Sequence, residues 1–198
     1  MAPIDVTVFF NYRSPYCYLA SKKLWTIEDD HGGRLTWKPL GGWVGRSPPD
    51  RAKIKVPLTR QDVARWARRM AIPFVPPPIS TDPTRAAAGA LLAIERGVIR
   101  PYTIAVMALE WGEGRDIGEL DVLVAAGQAA GLDRNTLAAA VDDPARRATL
   151  DDNARAAEAA GAFGVPTFVI DDQLFWGQDR IDFVTEELDL RRHPRARD

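Results

Sequence analysis

The chain has 198 residues, 46% hydrophobic and 27% charged, with a formal net charge of -1: enough to bury a sizeable core, with no field to draw nucleic acid or an anionic membrane. One cysteine excludes an intramolecular disulfide, and two histidines leave too few donors for a Cys/His metal centre. No apolar run approaches the roughly 20 residues of a membrane span, and the start lacks the pattern of a secretory leader, so a cytoplasmic, metal-free protein is expected.

Residues 4–10 are predicted as a strand, followed by a turn at Asn11-Tyr12-Arg13 and a helix with Ser14 at the N-cap and Pro15 at its first position. That helix is predicted over 15–29, with Tyr18, Leu19, Leu24, Trp25 and Ile27 on its apolar face, and Gly32-Gly33 stop it. Residues 34–40 alternate as a second strand, which makes the opening a βαβ unit. Residues 41–57, rich in glycine and proline, read as loop, and 59–70 as a helix capped by Thr59 with Asp62 three residues on. Pro73, Pro76-Pro77-Pro78 and Pro83 make 72–83 extended.

Helical patterns then follow at 85–96, 101–111, 119–130, 134–141 and 144–160, punctuated by Gly97, Gly112, Gly114, Gly131 and Gly161. Beyond Gly161 the character changes: a strand over 163–170, a hairpin turn at Asp171-Asp172, a strand over 173–176 and a closing helix over 180–190. The basic end, from Arg191 to Arg197, reads as a solvated tail. Without the helical block the order is βαβ–ββα. The expected architecture is therefore α/β, one domain from 1–57 and 161–198 carrying an all-helical insertion domain at 58–160.

Thioredoxin-like redox proteins place Cys-x-x-Cys at such a strand-to-helix junction, because the helix N-terminus stabilises a thiolate. Here the frame is Ser14-Pro15-Tyr16-Cys17, with serine where the nucleophilic cysteine would stand. A site of this shape with no sulfur of its own points to sulfur that arrives with a ligand, and glutathione is the candidate. Cys17 reads as a small buried residue one turn into the helix. With no His/Asp pair nearby in sequence, Ser14 is not expected to be a covalent nucleophile. Val165-Pro166-Thr167 is the second signal: in a thioredoxin-like fold this proline is cis, and the residue before it shows backbone N–H and C=O beside the helix terminus.

The Ser-Pro-Tyr motif after a Phe-rich strand, the run Phe163-Gly164-Val165-Pro166-Thr167-Phe168 and the run Phe175-Trp176-Gly177-Gln178-Asp179-Arg180 together resemble the kappa-class glutathione transferases. They resemble still more their bacterial relatives, the 2-hydroxychromene-2-carboxylate isomerases. Segments 64–69 and 111–117 extend the resemblance over roughly residues 4–188. It implies a thioredoxin-like fold with glutathione as cofactor, and a homodimer is plausible on this ground alone. Ser14 would donate a hydrogen bond to the glutathione sulfur and hold it as thiolate, and Val165 would pair by its backbone with the cysteinyl part. Trp176, Gln178 and Asp179 match the segment around the γ-glutamyl moiety; Asp179 suits its ammonium and is equally placed to cap the last helix. Lys55, or alternatively Lys53, matches a lysine near the glycyl carboxylate or an acidic substrate. Tyr16, Trp43, Trp111 and Trp176 are candidates to wall a pocket for an aromatic substrate.

Two positions depart from the family pattern: Arg46-Ser47 stands before Pro48-Pro49, and Asp82 before Pro83, where asparagine is common. Asp82 would repel a carboxylate substrate unless Arg46 or a lysine offsets it. The resemblance implies an isomerase of a small aromatic acid like 2-hydroxychromene-2-carboxylate. In its cycle a bound thiolate adds reversibly to a conjugated carbon, so that a rigid double bond can rotate. The alternatives are a kappa-like transferase conjugating glutathione to electrophiles, a disulfide oxidoreductase working through Cys17, and a non-catalytic thiol- or peptide-binding protein.

Overall fold

In the computed structural model, which describes residues 2–42 and 49–193, strand β1 (Ile4–Phe10) is followed by helices α1 (Pro15–Ala20) and α2 (Thr26–Asp29) and by strand β2 (Gly33–Pro39). A helical block comes next: α3 (Pro49–Arg69), α4 (Thr84–Glu95), α5 (Ile99–Met107), α6 (Leu120–Ala129), α7 (Arg134–Val141) and α8 (Pro144–Ala159). Strands β3 (Thr167–Ile170) and β4 (Gln173–Trp176) and helix α9 (Ile181–Arg192) close the chain.

The four strands form one sheet in the order β2-β1-β3-β4. β1 pairs in parallel with β2, from Ile4 opposite Gly33 to Phe10 opposite Pro39, and antiparallel with β3, Val8 opposite Phe168. Its alternation sends Val6, Val8 and Phe10 into the main core and Phe9 to a smaller cluster with Leu40 and Ala157. β3 and β4 make an antiparallel hairpin whose turn holds Asp171 at φ 53. This is the α/β, thioredoxin-like arrangement with an all-helical insertion.

Three predicted elements differ in detail. The helix expected over 15–29 is two helices, because side chains take carbonyls the helix would use. Ser21 Oγ donates to Tyr18 O at 2.7 Å and Trp25 Nε1 to Ser21 O at 2.8 Å. The backbone between tightens to i→i+3 bonds, as from Lys23 N to Ala20 O at 3.0 Å. The loop expected up to 57 is helical from Pro49, so α3 runs through the boundary drawn between 57 and 58. Proline is well accommodated at the first turn, and Pro57 inside α3 sacrifices a backbone hydrogen bond without ending the helix. Finally, β3 begins at Thr167 rather than 163: Val165–Pro166 is cis, and Thr167 Oγ1 donates to Gly164 O at 2.7 Å, folding the preceding residues into a turn.

The extended stretch 72–83 has no regular helix or strand, as its prolines require. The segment expected as one helix over 101–111 is α5 followed by a π-turn at Ala108–Gly112. One continuous core joins the sheet to the helical block, with Val8, Phe10 and Phe168 in the same cluster as Tyr102, Met107, Leu123 and Leu137. Within the block, Gly89 lets α4 approach Tyr102, whose hydroxyl donates to Ala86 O at 3.0 Å. No described helix is long and apolar enough to cross a membrane, and the described residues contain no cluster of three or more His, Cys, Asp or Glu that could hold a metal ion.

Candidate active site

Ser14 caps α1 with an extended backbone (φ -87, ψ 120), and its Oγ accepts the Cys17 N–H at 3.3 Å. The same hydroxyl donates to Val165 O at 3.3 Å, so the residue before the cis proline lies against the start of α1 although 151 positions separate the two in sequence. Both contacts are at the long end for hydrogen bonds, and the hydroxyl proton is loosely committed. Cys17 is fully buried behind this turn. Burial pushes its thiol up to about 12, outweighing the hydrogen bonds from Asn11 and Ser14, so at neutral pH it holds its proton.

Tyr16 turns the other way, toward α3, and its hydroxyl donates to Asp62 Oδ2 at 2.9 Å. Burial and the Asp62 carboxylate raise the phenol to about 12, with Asp179 adding in the same direction. Asp62 was legible only as a partner for Thr59 in a helix cap. Because α3 starts at Pro49, nearly three turns before Thr59, Asp62 lies within the helix and faces Tyr16 instead. Between Tyr16 and α3 runs a groove of about 420 Å³, lined by Arg51, Ile54, Lys55, Leu58, Thr59 and Asp62. Ile54 and Leu58 present exposed apolar surface there, beside the two cations. Lys53, the alternative to Lys55, instead stands 3.9 Å from Asp50.

Trp176 lies across the backbone of Gly164, where a Cβ would stand 2.4 Å from its Nε1. Its half-exposed ring packs on Phe163 with centroids 4.4 Å apart. Phe163, expected in a strand, is an exposed partner of that indole, before the strand begins. Gln178 is buried in the turn after β4. Asp179 pairs with Arg180 at 2.9 Å; it does not cap α9, where Arg180 holds the cap position without a side-chain bond.

Trp111 is no pocket wall: it is buried, donates Nε1 to Tyr12 O at 3.0 Å and stacks on Phe74 with centroids 6.0 Å apart. Asp82 opens α4, accepting from Thr84 N at 2.9 Å and Thr84 Oγ1 at 2.6 Å. Trp43 and Arg46 lie outside the described residues. Sequence reading passed over Arg13 and Glu110, which meet behind Ser14. Arg13 Nη1 stands 3.6 Å from Glu110 Oε1, and burial raises the Glu110 carboxyl to about 8 against the opposing pull of Arg13 and the Ile117 N–H. Nothing in the spacing of residues 13 and 110 signals that contact.

A sheet of this order, a serine-capped helix and a cis proline facing it define a thioredoxin-like protein. The model of the DSBA-like thioredoxin domain matches residues 5–189, and the chain belongs to that family. Within it, the chain is 29% identical over 186 residues to the 2-hydroxychromene-2-carboxylate isomerase of Pseudomonas putida, covering 89% of this chain and 90% of that one. A solved structure of 2-hydroxychromene-2-carboxylate isomerase superposes with a TM-score of 0.82 at 25% identity, over 98% of this chain and 100% of the other. These likenesses place the chain among enzymes. The cytosolic disulfide reductase DsbM of Pseudomonas aeruginosa, solved with GSH, shares the fold, with a TM-score of 0.69, 21% identity and coverage of 93% and 99%.

Proposed function

We propose that the protein is a glutathione-dependent isomerase of an aromatic acid resembling 2-hydroxychromene-2-carboxylate. The observation that carries this reading is the loosely held Ser14 hydroxyl facing the Val165 carbonyl, with the chain's one thiol buried and protonated behind it. The residues present fit glutathione. Ser14 Oγ can swing its proton from Val165 O to a sulfur while still accepting from Cys17 N–H, and Val165 offers its backbone as a strand-like partner. Asp179 supplies a carboxylate for an ammonium, next to buried Gln178 and exposed Trp176. When bound, glutathione supplies the thiolate that adds reversibly to a conjugated carbon of the substrate.

The chain's own groups do the rest. Ser14 holds the sulfur as an anion and fixes its position. Lys55 and Arg51 draw the substrate carboxylate to the groove, Ile54 and Leu58 cover its ring, and Tyr16, locked by Asp62, forms the inner wall. Such chemistry suits the cytoplasm, where thiols are kept reduced.

Calorimetry of glutathione binding to the natural protein and to Ser14→Ala, with released protons counted, tests the reading. The expected result is binding with proton release that Ser14→Ala abolishes, followed by turnover of hydroxychromene carboxylates without loss of thiol. Consumption of thiol with turnover would make the protein a conjugating transferase. No binding at millimolar glutathione would overturn both.

A further inference from the structure

The residues of α3 that line the groove beside Tyr16 fall in one stripe along the helix: Arg51, then Ile54 and Lys55, then Leu58 and Thr59, then Asp62. The stripe is polarised. A guanidinium stands at its N-terminal end, Ile54 and Leu58 leave exposed apolar surface in the middle, and a carboxylate stands about three turns on at the far end. At that far end the protons are committed. Tyr16 keeps its phenolic proton, with the hydroxyl raised to about 12, and gives it to Asp62 Oδ2 at 2.9 Å. The Thr59 hydroxyl bears on the same phenol, and the Asp179 carboxylate acts on it from the turn after β4. A carboxylate offers acceptors only, and its two oxygens carry more lone pairs than one phenol uses. Asp62 therefore keeps acceptor capacity at an end of the groove where, among the described lining residues, no proton is left to give.

We propose that the groove takes an aromatic acid bearing a hydroxyl, with the ligand carboxylate toward Arg51, the ring against Ile54 and Leu58, and the hydroxyl donating to the Asp62 carboxylate that Tyr16 holds in place. The choice of an aromatic acid as occupant rests on the reading given above; the demand for a hydroxyl comes from the groove itself. Asp62 is then the residue that determines specificity, and Tyr16 positions it. The reverse orientation would set the ligand carboxylate against Asp62 and Asp179, where like charges repel and no proton relieves them. An acid without a hydroxyl leaves the Asp62 acceptor stripped of water and unpaired beside the ring. An ether oxygen in the same place sets lone pairs against lone pairs. Both are costly once a polar group is desolvated. A hydroxyl instead meets the carboxylate in a charge-assisted bond, the stronger kind.

Equilibrium binding of o-hydroxycinnamate, cinnamate and o-methoxycinnamate to the natural protein, with and without glutathione, is the test. o-Hydroxycinnamate is expected to bind about tenfold tighter than either of the others. With Asp62→Asn, whose amide brings protons to the same place, the preference over o-methoxycinnamate is expected to shrink to about twofold or less. With Arg51→Gln all three acids are expected to bind more weakly by a common factor, the preference unchanged. Damage to the fold alone would weaken the three alike, so the ratio and not the affinity is the readout. Equal affinities in the natural protein, a preference that survives Asp62→Asn, or no binding of any of the three at millimolar concentration under either condition would overturn the proposal. Equal affinities in a protein that captures glutathione as thiolate would leave the isomerase reading standing. Selection of the hydroxylated acid by a protein that binds no glutathione would retire that reading and leave the groove assignment intact.

Discussion

Ser14 does two things with one hydroxyl: it caps α1 through the Cys17 N–H and touches the carbonyl before the cis proline. Ser14→Ala is therefore expected to lower stability by about 1 kcal/mol, the usual worth of an N-cap, in addition to the loss of glutathione binding proposed above. Cys17 behaves oppositely. Its thiol is buried and pushed up to about 12, so Cys17→Ala is expected to leave turnover of the aromatic acid intact and to lower the melting temperature slightly. Loss of activity in that variant would point to redox chemistry at the Cys17 thiol instead. The serine cap and the proline before β3 were legible because each imposes local rules that few residues satisfy. Asp62 and Glu110 were not, since a carboxylate in a helical pattern reads as cap or solvated face, and their partners Tyr16 and Arg13 are distant in sequence.

Element by element, the apolar period placed β1, β2, β4 and α4 to α9 within a few residues of where they lie. The late start expected for α3 has one cause: proline was read as punctuation. Pro49 begins α3 and Pro57 is carried inside it, because packing of the apolar face, with Val63 and Ala67 buried, decides the helix more than one missing hydrogen bond. The π-turn was invisible for another reason, since it adds no distinctive residue to the end of α5. Contact between α4 and α5 is close enough to be tested by one methyl group. A Cβ at Gly89 would stand 2.2 Å from the Tyr102 hydroxyl and 3.0 Å from its ring carbon, and that ring is fully buried. Gly89→Ala is expected to cost about 1–3 kcal/mol in urea unfolding. An unchanged midpoint would mean that the ring moves aside freely.

Across the whole molecule, the sheet and the helical block share one core, so a charge buried in the block bears on the stability of the entire fold. Glu110 ionises at about 8 in the folded protein against an ordinary 4.5. Its protonated form is favoured by folding, so its contribution is fully present below the ordinary value and is lost as pH rises through the folded one. Relative to Glu110→Gln, the natural protein is expected to lose stability between about pH 4.5 and 8, by at most about 1.4 kcal/mol per pH unit, and to run parallel above that. Denaturant midpoints of the two proteins across that range check it. The 151 positions between Ser14 and Val165 have a consequence for how the protein is made. A ribosome adding about 5–20 residues each second releases the serine long before its partner, by on the order of ten to thirty seconds. In the finished sheet β3 lies on the edge of β1 away from β2, and during that interval β3 has not been synthesised. The nascent polypeptide thus closes the corner between Ser14 and Val165 late, and a message cut short anywhere before codon 165 yields a product that has its serine and lacks the carbonyl that faces it.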